Sequence, residues 1–337
     1  MVKEPYPSRQ ADRDAWILRH RGPRRSLDPF RPYAVITEPE RSVDGPIASV
    51  TTVFLTNREC PWKCLFCDLW RNTLETSVPP GAIPAQIDRA LEESASARRY
   101  QSPVEGPSPR YLKLYNSGSF FDPRAIPEED LAAIAKRARP FDRVIVESHP
   151  SLVDDRVVRF RDLLRKEGPI ALEVAIGLET ANPVVLEKLN KRMTLELFAA
   201  AAGFLGRHDI DLRCFVLVQP PFMLPSESLP WARRSIDVAF DEGASVVSLI
   251  PTRPGNGATD ALAERGLYTK PTLTTLEQAV DYGVRSGQGR VFADLWDLET
   301  FATCRECFPA RAERLRRLNL TQKLAGPIAC PSCGYHG

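Results

Sequence analysis

From residue 49 to residue 251 the chain alternates two patterns. Short apolar, β-branched runs recur at SVTTVFLT (49–56), YLKLYN (111–116), RVIVES (143–148), EVAIGLE (173–179), LRCFVLVQ (212–219) and SVVSLIP (245–251). Between them lie stretches with apolar residues at helical spacing: 83–99, 127–139, 154–168, 182–190, 194–208 and 228–243. Several of these open on Pro, Asp or Thr and close on Gly or a basic residue, as helix ends do. Six alternations of strand and helix predict parallel β/α units. A (β/α)6 partial TIM barrel fits residues 49–251; a doubly wound open sheet shares the same periodicity.

Residues 1–48 are rich in Pro and Arg and lack this rhythm, so they read as a partly extended N-terminal arm. After Pro251 the alternation stops. Residues 252–337 read as a small C-terminal lobe, with a turn and short helix in 252–266 and a further helix in 274–287. In barrels of this kind chemistry gathers at the C-terminal ends of strands. That rule selects the loop 57–70, then NSGS (116–119), Glu147, Glu179 with Thr180, Gln219, and Thr252 with Arg253.

Composition narrows the class. The hydrophobic fraction is 43% and the charged fraction 26%, ordinary for a globular chain, and the net charge of +2 gives no global pull towards nucleic acid or membrane. No apolar run approaches the ~20 residues of a membrane-spanning helix. The first residues are polar and Arg-rich without an apolar signal core, so a cytoplasmic location is expected. In such a reducing compartment clustered cysteines are ligands or catalytic groups more often than disulfides. Seven of the eight cysteines are clustered; Cys214 stands alone on an apolar strand and reads as a buried, inert thiol.

The loop NRECPWKCLFCDLW places Cys60, Cys64 and Cys67 within eight positions. A structural zinc site is normally closed by four ligands, and no neighbouring His or Cys completes this set. A [4Fe–4S] cluster held by three thiolates leaves one iron open to an external ligand. A zinc site completed by a distant residue or a partner is the alternative.

Cys60-x3-Cys64-x2-Cys67 after the first strand of a β/α series, with aromatic Phe66 before the last cysteine, resembles the signature of the radical S-adenosylmethionine (SAM) superfamily. The resemblance implies a [4Fe–4S] cluster on these cysteines, SAM bound at the open iron, and reductive cleavage of SAM to a 5′-deoxyadenosyl radical. By the same resemblance Phe66, Asn116, Ser117, Gly118, Ser119, Glu147, Glu179 and Arg213 are expected at the cofactor. NSGS stands where the family commonly has Gly-Gly-Glu, so the acid of that motif is missing. LYNSGSFFDP, ESHPSLV and IGLETANPVVLEKLNKRMT, followed by FVLVQPPF, resemble the branch holding the archaeosine synthase radical subunit and elongator-type tRNA-modifying enzymes.

A second set, Cys304-x2-Cys307 and Cys330-x2-Cys333, is a four-thiolate pattern. A closed structural Zn2+ is favoured, with an auxiliary [4Fe–4S] cluster as the alternative. Between the pairs, Arg311, Arg314, Arg316, Arg317 and Lys323 read either as phosphate contacts or as a solvated helix face. Trp62 is expected to pack the cysteine loop and Trp296 to lie between lobes.

The sequence therefore points to a radical SAM enzyme, with a nucleoside in RNA or tRNA as the substrate the resemblance implies. A flavodoxin- or ferredoxin-type electron donor and a partner subunit are the expected partners. Two competing readings are a radical SAM enzyme acting on a peptide or small metabolite, and a non-enzymatic zinc protein that binds nucleic acid.

Overall fold

The computed structural model describes residues 5–98 and 109–334. Eight strands form one open sheet in sequence order: β1 (Ala34–Arg41), β2 (Ile47–Phe54), β3 (Arg110–Tyr115), β4 (Arg143–Glu147), β5 (Ala171–Glu179), β6 (Asp211–Val218), β7 (Val246–Pro251) and β8 (Arg290–Ala293). β1 is antiparallel to β2, and every later pairing is parallel. The six predicted strands are β2 to β7, and the sheet is a curled half-barrel.

The helices are α1 (Gln10–His20), α2 (Ala82–Arg98), α3 (Leu131–Arg137), α4 (Asp155–Glu167), α5 (Pro183–Lys188), α6 (Leu195–Arg207), α7 (Pro225–Asp241), α8 (Ala258–Ala263), α9 (Leu273–Ser286) and α10 (Phe308–Thr321). Arg99, the last residue of the first predicted helix, lies outside the described residues. Side chains fix several helix starts. Asp154 accepts from Arg156 N, Asn182 from Val184 and Val185 N, Thr194 from Leu197 N and Thr272 from Thr275 N. Each satisfies backbone donors that the first helical turn leaves unpaired.

Two strands go beyond the predicted six. β1 and α1 arise within the segment read as a partly extended arm, and β8 within the segment after Pro251. β1 escapes the pattern because AVITEPER carries charges and Pro39 where apolar residues would announce a strand. As an edge strand it tolerates the proline.

Period-2 alternation sends the outer residues of the sheet, such as Leu114, Val146, Val174 and Val216, into the core beneath the helices. The inward residues are different in kind. Glu40 of β1 takes Lys113 Nζ of β3 at 2.6 Å and Arg213 Nη2 of β6 at 2.6 Å. Arg213 Nε also donates to Glu173 of β5 at 2.5 Å, and Arg143 Nη1 of β4 lies 3.3 Å from the same carboxylate. Across the opening, Arg290 Nη1 of β8 donates to the Arg41 carbonyl of β1 at 2.9 Å. Strands on opposite edges of an open sheet meet this way only if the sheet curls. Burial alone would raise the Glu40 carboxyl, but the Arg213 guanidinium and the Lys113 ammonium hold it well below the usual carboxylate range.

Among the described residues no helix is long and apolar enough to cross a membrane.

Removing one partner from this layer strands buried charge. Glu173→Ala is expected to destabilise the chain by about 3–5 kcal/mol in denaturant titration. A loss below about 1 kcal/mol, the range of exposed pairs, would show that the layer does not hold the sheet.

Candidate active site and metal centre

The loop carrying Cys60, Cys64 and Cys67 leaves the C-terminal end of β2 and is held by remote parts of the chain. Leu65 N donates to Leu189 O at 2.9 Å. Asn190 Nδ2 donates to Lys63 O at 2.8 Å, and Asn256 Nδ2 to Leu65 O at 2.8 Å. Leu65 is fully buried in a small core with Trp16 and Ile17 of α1 and Leu262 of α8. Glu59, just before the first cysteine, receives Lys63 Nζ at 2.6 Å, Arg21 Nη1 at 2.8 Å and Arg24 Nη2.

This packing sets the chemistry of the thiols. Burial, and then the neighbouring cysteines, push Cys64 well above a free thiol, and the same causes raise Cys67 to about 12. Burial also raises Cys60, against the pull of Lys63. Three thiols that resist ionisation are poor nucleophiles, since the thiolate is the reactive form. A bound metal centre supplies the positive charge that deprotonates a coordinating thiol.

Facing the loop are the ends of β3, β4 and β5. The Asn116 side chain is fully buried, and both its amide oxygen and its amide nitrogen lack a hydrogen-bond partner in the protein. Gly118 lies against the loop so closely that a Cβ there would fall 2.9 Å from Cys60 Cβ. Glu147 Oε1 accepts from Asn116 N at 2.7 Å and Gly118 N at 3.2 Å. Burial outweighs these donors and raises its carboxyl to about 7. Glu179 is paired with Lys191 at 2.5 Å, and Lys191 Nζ also donates to Gly177 O. His149 stacks on Trp62, rings 3.8 Å apart and 13° from parallel. It donates from Nε2 to Lys191 O at 3.0 Å and accepts at Nδ1 from Ser151. Burial, with Lys191 nearby, pushes this imidazole down to about 3, so it stays neutral.

Ser117, Glu179 and Gln219 have φ of 55°, 64° and 55°, three non-glycine residues in left-handed conformation just past or at the ends of β3, β5 and β6. Such strain gathers where surrounding contacts over-determine a site.

The predicted residues fall in three places. Asn116, Ser117, Gly118, Ser119 and Glu147 sit at the loop, with Ser119 Oγ accepting from His149 N at 2.8 Å and Ser117 Oγ 3.0 Å from the Tyr33 hydroxyl. Glu179 stands at the neighbouring strand end with Lys191, and Phe66 packs against the cluster of Val185, Leu189, Leu217 and Met223. Arg213 faces the sheet interior, where Glu40 and Glu173 take its guanidinium. Sequence reasoning missed Glu59, Asn190, Lys191 and Asn256. Asn190 closes a helix-like stretch and Asn256 stands in a turn-like one, so nothing in their local pattern marks them as loop anchors.

At the other end of the chain, Cys304, Cys307, Cys330 and Cys333 bring their sulfurs within 4.8 Å of one another, with Cys307 and Cys333 4.0 Å apart. A tetrahedral ion with Zn–S of ~2.3 Å sets its sulfurs about 3.8 Å apart. The group can therefore hold one metal ion. Among the described residues it is the one set of three or more such ligands gathered this tightly. The N–H groups of Cys307 and Glu306 push the Cys304 thiol down to about 7.

The basic stretch between these pairs divides: Arg316, Arg317 and Lys323 are exposed, as a solvated face would be, whereas Arg311 and Arg314 correct both sequence readings. Arg311 is buried on Glu277, with Nη2 at 2.5 Å, and Arg314 on Asp281 at 2.7 Å, which fastens α10 to α9. Arg316 pairs with Glu313. Trp296, expected between lobes, is half exposed, with its ring 5.9 Å from Phe54 of β2.

A parallel half-barrel with three thiols at its C-terminal mouth resembles the radical SAM superfamily, as the cysteine motif does. No family model matches the chain. An uncharacterised protein of Methanocaldococcus jannaschii is 24% identical over 322 residues, 91% of this chain and 86% of that protein. Archaeosine synthase subunit beta of Methanosarcina acetivorans is 24% identical over 243 residues, 69% of this chain and 66% of that subunit. Among solved structures, Elp3 of Methanocaldococcus infernus, lacking its N-terminus, shares the fold with a TM-score of 0.50 at 13% identity. That match covers 74% of this chain and 60% of the Elp3 chain.

The cluster and SAM that this resemblance implies fit the residues present. The donor set is three half-buried thiols, and the unpartnered Asn116 amide in the turn that faces them offers a donor and an acceptor to a ligand. Gly118→Ala should lose most of the iron bound after anaerobic reconstitution while circular dichroism stays unchanged; full iron loading would show that the close approach to Cys60 is incidental. Cys304→Ala should release the C-terminal metal and open the segment 302–334 to proteolysis. An intact segment with unchanged metal content would contradict a four-thiolate site.

Proposed function

We propose that the chain is a radical SAM enzyme of the cytoplasm that modifies a nucleoside in RNA, with tRNA as the leading candidate. The observation that carries the reading is the set of three half-buried thiols held at the mouth of a half-barrel, with a polar wall opposite. Cys60, Cys64 and Cys67 would hold the [4Fe–4S] cluster, and Asn116, Ser117, Gly118 and Glu147 would meet SAM. When bound, the cluster and SAM supply a 5′-deoxyadenosyl radical able to abstract hydrogen from a substrate.

The chain's own contribution is to position and to exclude. Glu147 fixes the turn after β3 through the Asn116 and Gly118 N–H groups, which aims the Asn116 amide. The Trp62–His149 stack walls the loop on one side with an imidazole that carries no charge near pH 7. Arg21 and Arg24 tie the N-terminal segment to Glu59 and cover the loop from outside.

Cys304, Cys307, Cys330 and Cys333 would hold a single structural Zn2+, a reading supported by sulfur spacing too tight for a cubane. The RNA substrate rests on the similarity to archaeosine synthase subunit beta, whose name also suggests that a partner subunit completes the activity. A flavodoxin or ferredoxin would deliver the electron.

Cys64→Ala should abolish 5′-deoxyadenosine formation from SAM and dithionite in anaerobically reconstituted protein, with the chain still folded. SAM cleavage that persists in this variant would sink the mechanism.

A further inference from the structure

We propose that Trp296 is a stacking platform for a base of the substrate, set on the rim of the barrel mouth; this rests on the RNA reading above. Trp296 follows β8 and is 54% exposed. A single exposed apolar side chain is ordinary, but an indole held half in water presents a flat π-face on which a base can stack.

Its backbone is not loose. Trp296 N donates to Asp294 Oδ1 at 3.0 Å, and its carbonyl accepts from Arg253 Nη2. Arg253 is itself fixed by Asp294 Oδ2 at 2.8 Å, and Asp297, with φ of 51°, turns the chain away directly afterwards. An ion pair thus holds the backbone that presents an exposed ring.

The ring also stands on a path to the site. It lies 5.9 Å from Phe54, at the end of β2, and Phe54 lies 5.5 Å from Tyr33. The Tyr33 hydroxyl reaches Ser117 Oγ at 3.0 Å, in the turn whose Gly118 presses on Cys60. Three rings therefore lead from the rim to the cysteine loop. Exposed Lys270 is bonded through Nζ to the carbonyl of Thr300, four residues after Trp296, at 2.6 Å, a cation that a nucleotide's phosphate could meet. Exposed, anchored aromatic rings are the surfaces on which single-stranded bases stack, largely irrespective of sequence.

The test is the binding of a labelled, unmodified tRNA transcript, followed by fluorescence anisotropy. Trp296→Ala should weaken binding about 5- to 150-fold. Trp296→Phe should retain most of the affinity, whereas Trp296→Leu, apolar but without a π-face, should be as weak as the alanine variant. Leucine binding as tightly as the unchanged chain would overturn stacking and leave the RNA reading standing. If the unchanged chain bound no transcript at all, both the RNA reading and the platform would fall.

Discussion

Glu173 is fully buried, and its carboxylate is taken by Arg213 and Arg143, with Arg290 at 3.9 Å. Together with Glu40 and Lys113 it forms a layer of charge inside the curl of the sheet, fed by strands from both edges. Ions this deep are tolerable only when paired, so the strands that bear them must stay close. The same period-2 alternation that points Arg143 inward also points Glu147 inward at the other end of β4, while on β5 a register shift between Gly177 and Glu179 re-aims Glu179 at the strand end. A curl held at the bottom by charge brings the strand ends together at the top, where the cysteine loop sits.

That loop depends on distant sequence in turn. Its backbone is pinned by residues near 190 and 256, its apolar face by α1 and α8, and its first turn by Arg21 and Arg24. The segments flanking the six-strand series on either side are therefore part of the site. The shared physical result is partial desolvation of three half-buried thiols, which disfavours the free, nucleophilic thiolate.

The strand series and the two cysteine sets were legible because they rest on local patterns: alternation, helix-end residues and short spacings. β1 was not, because its inward position is filled by Glu40, a charge whose partners are 73 and 173 residues away. Arg213 was expected at the cofactor, and it lies in the sheet interior on Glu40 and Glu173; which carboxylates it meets is a fact of the closed sheet, invisible along the chain. Arg311 and Arg314 illustrate the same limit. As a basic run they suggested phosphate or solvent, yet Glu277 and Asp281, one helix earlier, bury them. Asn256, in a Gly- and Pro-rich turn, looked like turn chemistry and proved to hold Cys67's loop. Local pattern reports elements; the pairing of buried polar groups is settled by what folding brings opposite them.

The central claim is that one chain carries two different metal environments: an open three-thiolate site at the barrel mouth and a closed four-thiolate site near the C-terminus. Iron, sulfide and zinc per chain, measured on protein purified without oxygen, tests it most directly. The account predicts about four irons with matching sulfide and about one zinc. Zinc at both sites without iron would contradict the radical reading, and about eight irons without zinc would contradict the single-ion site.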